Sequence, residues 1–149
     1  MSLVKFVYEA LRGSNYWQDT MLIITFDEHG GFFDHVAPPP AVPTGDDTAY
    51  ANAKNNFHFD LYGVRVPAIV ISAYTQKGTV IGTDAADPTT IFDHTSILAT
   101  VAARFNLPPL TARDKVANKL DAALNLDAPR TDAPMVLPSP SPFGSTLIS

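Results

Sequence analysis

The apolar positions at the start of the chain recur at helical spacing. Leu3, Val4, Val7, Tyr8 and Leu11 fall on one side of a helix, with Ser2 placed to cap it and Gly13 to stop it. A polar turn with aromatics follows, from Asn15 to Asp19. The period then changes. Thr20 to Phe26 (TMLIITF) is a continuous apolar and β-branched run, which predicts a strand buried on both faces. It stops abruptly at Asp27-Glu28-His29-Gly30-Gly31.

From Asp34 to Phe59 the pattern is that of a long loop. Pro38-Pro39-Pro40 and Pro43 remove the backbone donors that a regular ladder needs, and a loop of this length in a small domain usually carries function. Ala68 to Ser72 predicts a second short strand, and Thr79-Val80-Ile81 a third after the Gly78 turn. A helix is expected over Phe92–Phe105, with Ile97, Leu98, Val101 and Phe105 on one face. Pro108-Pro109 breaks it. Another helix is expected from Thr111 or Ala112 to Leu124, with Thr111 as cap and Asp114 completing a capping box. Beyond Asp127 the chain is rich in Pro and Ser and is expected to be extended. The division is therefore a domain over 1–126 and a tail over 127–149. Helix, buried strand, loop, buried strand and helix predict an α/β fold with a mainly parallel sheet. In such folds ligands sit beyond the carboxyl ends of strands, where Asp27 and Glu28 lie.

Composition adds exclusions. The 149 residues are 46% hydrophobic and 17% charged, which is globular rather than disordered. A net charge of −5 gives no electrostatic footprint for nucleic acid and no basic cluster for an anionic membrane. With no cysteine, neither a disulfide nor a thiolate metal site is available. No apolar run is long enough to predict a transmembrane segment. Met1 to Tyr8 lacks the length and cleavage site of a signal peptide, so an export signal of any secreted full-length form is expected upstream.

The chemistry concentrates in Asp27-Glu28-His29-Gly30-Gly31-Phe32-Phe33-Asp34-His35-Val36, where three carboxylates and two imidazoles fall within nine residues. Adjacent carboxylates repel, and a divalent cation removes that penalty. Oxygen donors suit Mg²⁺, Ca²⁺ or Mn²⁺, and a mixed carboxylate and imidazole set suits Zn²⁺. An ordinary polar turn is the competing reading. His94, at a helix start, is suited to an anion such as phosphate, or is simply an exposed residue beside a cap at Asp93 or Thr95. His58 reads as a surface loop residue. Arg65 pairs either with a carboxylate, the more common outcome, or with a phosphate.

These residues carry a resemblance. The segment Asp27 to Val36 resembles the D-E-x-x-G-x-x-D-H-V signature of phosphoesterases of the phospholipase C and acid phosphatase type, which include plant non-specific phospholipases C. Gly63-x-Arg65-Val66-Pro67 is similar to the start of that family's G-x-R-V-P-x₅-P signature, with Ala73 in place of the last proline. Phe92-Asp93-His94-Thr95-Ser96-Ile97, Phe105-Asn106-Leu107-Pro108, Leu110-Thr111-x-Arg113-Asp114 and Trp17-x-Asp19-Thr20 follow the family pattern as well. The resemblance spans Trp17 to Leu124.

It implies an alkaline phosphatase-like fold and hydrolysis of phosphoric esters, with a phosphomonoester or phospholipid substrate, through a Ser or Thr nucleophile beside a bound divalent metal. Asp27 and Glu28 would be metal ligands. His35 and His94 would contact phosphate or transfer a proton, and Asp34 would orient His35 or the loop. The family's E-N-R-S-F-D and T-x-P-N-R segments are not in this chain, and Ser72, Thr95 and Ser96 lie in no recognised nucleophile context. The expectation is therefore a C-terminal portion that is weakly active or inactive alone. Many relatives with this signature are exported. Two alternatives stand beside it: a non-catalytic metal- or phosphate-binding homologue that self-associates or pairs with a missing N-terminal half, and a scaffold whose acidic turn is only structural.

Overall fold

The computed structural model describes residues 2–46, 57–82 and 88–139. Helix α1 (Ser2–Arg12) forms where the apolar spacing places it. Lys5 and Glu9 pair one turn apart on its flank. It ends as the Gly13 amide donates to the Glu9 carbonyl at 3.0 Å. Its buried residue, Tyr8, packs edge to face on Trp17, with ring centroids 5.9 Å apart. Trp17 sits in a short 3₁₀ turn (Trp17–Asp19) that aims the chain into β1 (Met21–Thr25). Tyr8, Trp17 and Ala73 form the buried centre of the core, flanked by Leu22, Ile71, Tyr74, Ala133 and Leu137.

The sheet corrects the sequence expectation. β1 pairs with β2 (Ala68–Ser72) in antiparallel register, from Met21 opposite Ser72 to Thr25 opposite Ala68. Among the described residues this is a two-stranded sheet, not a mainly parallel one. The chain leaving β1 returns to the same end of the sheet through the Pro-rich loop, whose described part holds no crossover helix, and antiparallel pairing is what such a return dictates. Nor is β1 buried on both faces: every one of its residues is half-buried, and Ile69 of β2 is 56% exposed. The unbroken apolar run reads like a fully buried strand because periodicity alone does not report what covers each face.

The third strand does not form. Thr79 is held in a turn by its amide and hydroxyl, both donating to the Gln76 carbonyl, and its hydroxyl also accepts from Asn125. The Pro-rich loop does contribute an isolated bridge, Pro40 opposite Leu61. It obeys the donor rule for proline: the Ala41 and Tyr62 amides donate to the carbonyls of Asp60 and Pro39, and no proline nitrogen is asked to donate.

Helix α2 (His94–Phe105) begins with a complete capping box. The Asp93 carboxylate accepts from the Ser96 amide, and the Ser96 hydroxyl accepts from the Asp93 amide. Asp93, not Thr95, is thus the cap. The helix ends at Asn106 in the left-handed conformation (φ 53°), which asparagine tolerates. Helix α3 (Ala112–Val116) starts from the predicted Thr111–Asp114 box but is far shorter than expected. Ala117 turns extended (ψ 142°), which lets the Asn118 side chain reach the Ile91 carbonyl at 2.7 Å and the Leu120 amide reach the Thr100 hydroxyl at 2.8 Å. A 3₁₀ turn (Leu120–Ala123) then buries Leu120 and Ala123. These long-range bonds and the burial of Leu120 replace the helical bonds given up.

Residues 127–139 are irregular chain with bends that folds back across α1 and the end of β2; the rest of the expected tail, 140–149, lies outside the described residues. The Arg130 amide donates to the Ala73 carbonyl at 2.8 Å, Tyr8 Oη to the Pro134 carbonyl at 2.6 Å, and the Leu137 amide to Glu9 Oε1 at 2.7 Å. No helix among the described residues is long and apolar enough to cross a membrane.

Candidate functional site

Antiparallel pairing decides what the site contains. The chain leaving β1 through Asp27 and the chain entering β2 through Arg65–Pro67 meet at one end of the sheet. The N-terminus of α2 arrives at the same place, because His94 Nε2 lies 2.8 Å from the Phe26 carbonyl. A cavity of about 750 Å³ opens there. One part of its wall is polar, with Asp27, Glu28, His29, Arg65 and His94. The rest is largely apolar, with Val36, Val80, Ile81, Phe92 and Leu120 among its residues.

The acidic turn is built by its own backbone. The Glu28 amide donates to Asp27 Oδ1 at 3.1 Å, and the Gly30 amide to Glu28 Oε2 at 2.8 Å. Both bonds engage one oxygen of each carboxylate. Gly30 and Gly31 have φ of 69° and 74°, consecutive left-handed residues that only glycine adopts without strain. A side chain at Gly30 would also press within 3.1 Å of the Phe32 ring. Asp27 and Glu28 are both exposed.

Asp34 closes the turn. It forms a bidentate pair with Arg65, Nε to Oδ2 and Nη2 to Oδ1 both at 2.7 Å, and accepts the Val36 amide at 3.0 Å. The Arg65 guanidinium and, after it, the Val36 amide hold the Asp34 carboxyl far below the usual carboxylate range. Arg65 thus takes a carboxylate partner. Asp34 orients the loop rather than His35, whose Nδ1 stands 3.7 Å from Asp34 Oδ1 on a side chain that is 83% exposed.

Of the predicted site residues, the cavity brings together Asp27, Glu28 and His94, and His35 lies outside its wall. His29, counted in the sequence only as one of the two imidazoles of the turn, has a place at the cavity that no individual role anticipated. It lines the cavity, and its Nδ1 bonds the Phe32 carbonyl at 3.2 Å. Its position inside the acidic turn was the available signal. His58 is exposed, as expected. The hydroxyls set aside as nucleophiles are committed elsewhere: Ser96 is buried in the capping box, Thr95 donates to Asp93 Oδ1 at 2.6 Å, and the buried Ser72 accepts from the Tyr74 amide.

Among the described residues no three acidic or imidazole side chains converge to hold a metal by themselves. The adjacent pair Asp27 and Glu28 would by itself give only part of a shell of hard oxygen donors. That fits a cation that keeps waters or other donors in its remaining positions, as Mg²⁺ does. It does not make the closed four-ligand site of a structural zinc.

The phosphoesterase family model matches residues 1–108. The chain is 45% identical over 139 residues to non-specific phospholipase C3 of Arabidopsis thaliana, covering 92% of this chain and 27% of that protein. It is 47% identical to non-specific phospholipase C6 of the same plant, covering 97% and 28%. Phospholipase C A of Mycobacterium tuberculosis is 37% identical over 141 residues, covering 87% and 26%. The chain belongs to the phosphoesterase family. It spans about a quarter of the length of these relatives.

Proposed function

We propose that this chain forms part of the site of a metal-dependent hydrolase of phosphoric esters, of the phospholipase C type, on the scaffold that its resemblance assigns to the alkaline phosphatase-like superfamily. The observation that carries the reading is the cavity where the Asp27–Glu28 turn, Arg65 and the N-terminus of α2 meet beside an apolar wall. Asp27 and Glu28 each keep one carboxylate oxygen outside the turn's own bonds and would hold the cation. A divalent ion there would supply Lewis-acid polarisation of a phosphoryl oxygen.

The chain's own residues bind and orient. Arg65, in its ion pair with Asp34, fixes the loop after the turn and lines the cavity wall. His94 meets the cavity at a helix N-terminus, where backbone amides favour an anion. His35 is the exposed imidazole from which proton transfer or phosphate contact is proposed on the resemblance. Val80, Ile81 and Phe92 suit the hydrocarbon side of a phospholipid better than a small water-soluble monoester, in agreement with the phospholipase C names of the relatives.

The nucleophile and the remaining metal donors are proposed to come from a part of the phosphoesterase architecture that this chain does not contain. The alternative of a non-catalytic metal- or phosphate-binding homologue paired with a second chain draws on the exposed Ile69, Leu98, Val101 and Phe105. A molar mass that stays monomeric in sedimentation over a wide concentration range would remove it.

The test is calorimetric titration with Zn²⁺, Ca²⁺, Mg²⁺ and Mn²⁺, beside an Asp27→Ala/Glu28→Ala variant, with hydrolysis of phosphatidylcholine and of p-nitrophenyl phosphate measured in parallel. Cation binding that the double variant loses is expected. Binding that it keeps would sink the assignment of these ligands, and rapid turnover by this chain alone would sink the missing nucleophile.

A further inference from the structure

We propose that His94 is a positioning residue, whose Nε2–H holds the Phe26 carbonyl and so fixes the peptide from which Asp27 and Glu28 depart. A carbonyl oxygen only accepts, so at 2.8 Å the imidazole nitrogen must donate. In the neutral ring this selects the Nε2–H tautomer and leaves Nδ1 as the lone-pair nitrogen. Phe26 lies one residue past the last ladder pair, Thr25 opposite Ala68, so its carbonyl has no strand partner among the described residues.

Among the described residues the turn is tied to distant chain at both ends, here at its root and through the Asp34–Arg65 pair beyond it. Every other hydrogen bond of residues 26–33 among the described residues joins neighbours within that segment or the adjoining Thr25, as in Asp27 to Glu28, Glu28 to Gly30 and His29 to Phe32. Among the described residues, His94 makes the hydrogen bond from this segment to a distant part of the chain, across 68 positions. The lever is stiff. His94 is the first residue of α2, and the capping box behind it engages Asp93, Thr95 and the fully buried Ser96. Two consecutive glycines give the backbone of the acidic turn a wide conformational choice, and a bond at its root limits that freedom. A nitrogen engaged in this way is not available to carry protons to a substrate.

The proposal rests on reading Asp27 and Glu28 as the working carboxylates, and the experiment separates the two. In the ¹⁵N-labelled chain, at a pH where the ring is neutral, long-range proton–nitrogen correlation should show His94 as a single Nε2–H tautomer. The Nδ1–H form or an average of both would overturn the proposal, and this arm needs no variant. The backbone amides of Asp27 to Gly31 should gain fast motion in His94→Ala and keep wild-type order in His94→Gln, whose amide reaches the same carbonyl. Equal order in all three proteins would overturn it.

With Mn²⁺ as probe, His94→Ala should bind about tenfold more weakly, the lower end for residues that support metal ligands, with His94→Gln restoring affinity. Failure of glutamine to rescue would count against a role through the N–H. If the wild-type chain takes no Mn²⁺, Asp27 and Glu28 do not form a cation site in this chain by themselves, while the tautomer and the amide dynamics still decide the role of His94.

Discussion

Asp34 shows how much one side chain settles at this site. Its carboxylate faces the Arg65 fork and the Val36 amide, and Arg65 contributes most to keeping it ionised. A carboxyl depressed in the folded state adds stability above its unfolded value, near pH 4, and loses it as the pH falls toward its folded value. The urea midpoint of the wild type should therefore exceed that of Asp34→Asn at pH 7, and the gap should narrow progressively below about pH 4. A gap independent of pH would show that the pair contributes through shape alone.

Asp114 behaves differently. Burial pushes its carboxyl up, but the Thr111 hydroxyl and the amides of Leu110 and Thr111 outweigh that and hold it below the usual value. Asp114→Ala leaves two amides without their acceptor and should cost roughly 1–3 kcal/mol in urea unfolding at pH 7. The identity of these residues was legible in the sequence, and so was the Thr111–Asp114 box. The partner of Arg65 was not, because it lies 31 positions away and only the return of the loop brings the two together.

Between elements, the core is made by parts far apart in the chain. Helix α1 gives Tyr8, the first turn gives Trp17, the end of β2 gives Ala73, and the returning tail gives Ala133 and Leu137. Trp17→Ala should cost about 3–5 kcal/mol, the usual range for deleting a buried large aromatic, measured by circular dichroism in urea. Tyr8→Phe removes only the hydroxyl bonded to the Pro134 carbonyl and should cost about 0.5–1.5 kcal/mol. No loss in Tyr8→Phe would mean that the bond to the tail adds nothing beyond ring packing.

The helix start at Thr111 could be read from local capping chemistry, because donor and acceptor are three residues apart; that of α2 was narrowed to Asp93 or Thr95, and the structure settles it on Asp93. The end of α3 could not be read in this way. Ala117 to Lys119 carries no breaker, and the helix gives way to contacts with Ile91 and Thr100 that no local pattern encodes.

For the whole molecule, strand direction matters most to the site. A parallel β2 would have delivered Arg65 to the far end of the sheet from Asp27. The antiparallel pairing places both loops at one mouth. The point is open to a direct check, since no native cysteine competes. Cysteines introduced at Thr25 and Ala68, which face each other in the register, should oxidise to an intramolecular disulfide detectable by mass spectrometry. The bridge should stabilise the chain by up to about 4 kcal/mol by loop closure. A Thr25–Ser72 cysteine pair should stay reduced, whereas a parallel sheet would reverse the two results. The sequence pattern pointed to the wrong direction, a mainly parallel sheet, because apolar runs report burial and not the path of the connecting loop.

The tail that lies across α1 also sets a clock. On a growing polypeptide the acceptor for Tyr8 Oη is made 126 residues after the tyrosine, and the Leu137 amide that meets Glu9 comes 128 residues after it. At about 5–20 residues per second of synthesis, α1 must wait on the order of ten seconds with its apolar side unfinished. Helix–coil equilibration takes about a microsecond. The helix therefore forms and dissolves many times over, with only nearby partners such as Trp17 to hold it, before residues 127–139 arrive to complete its cover.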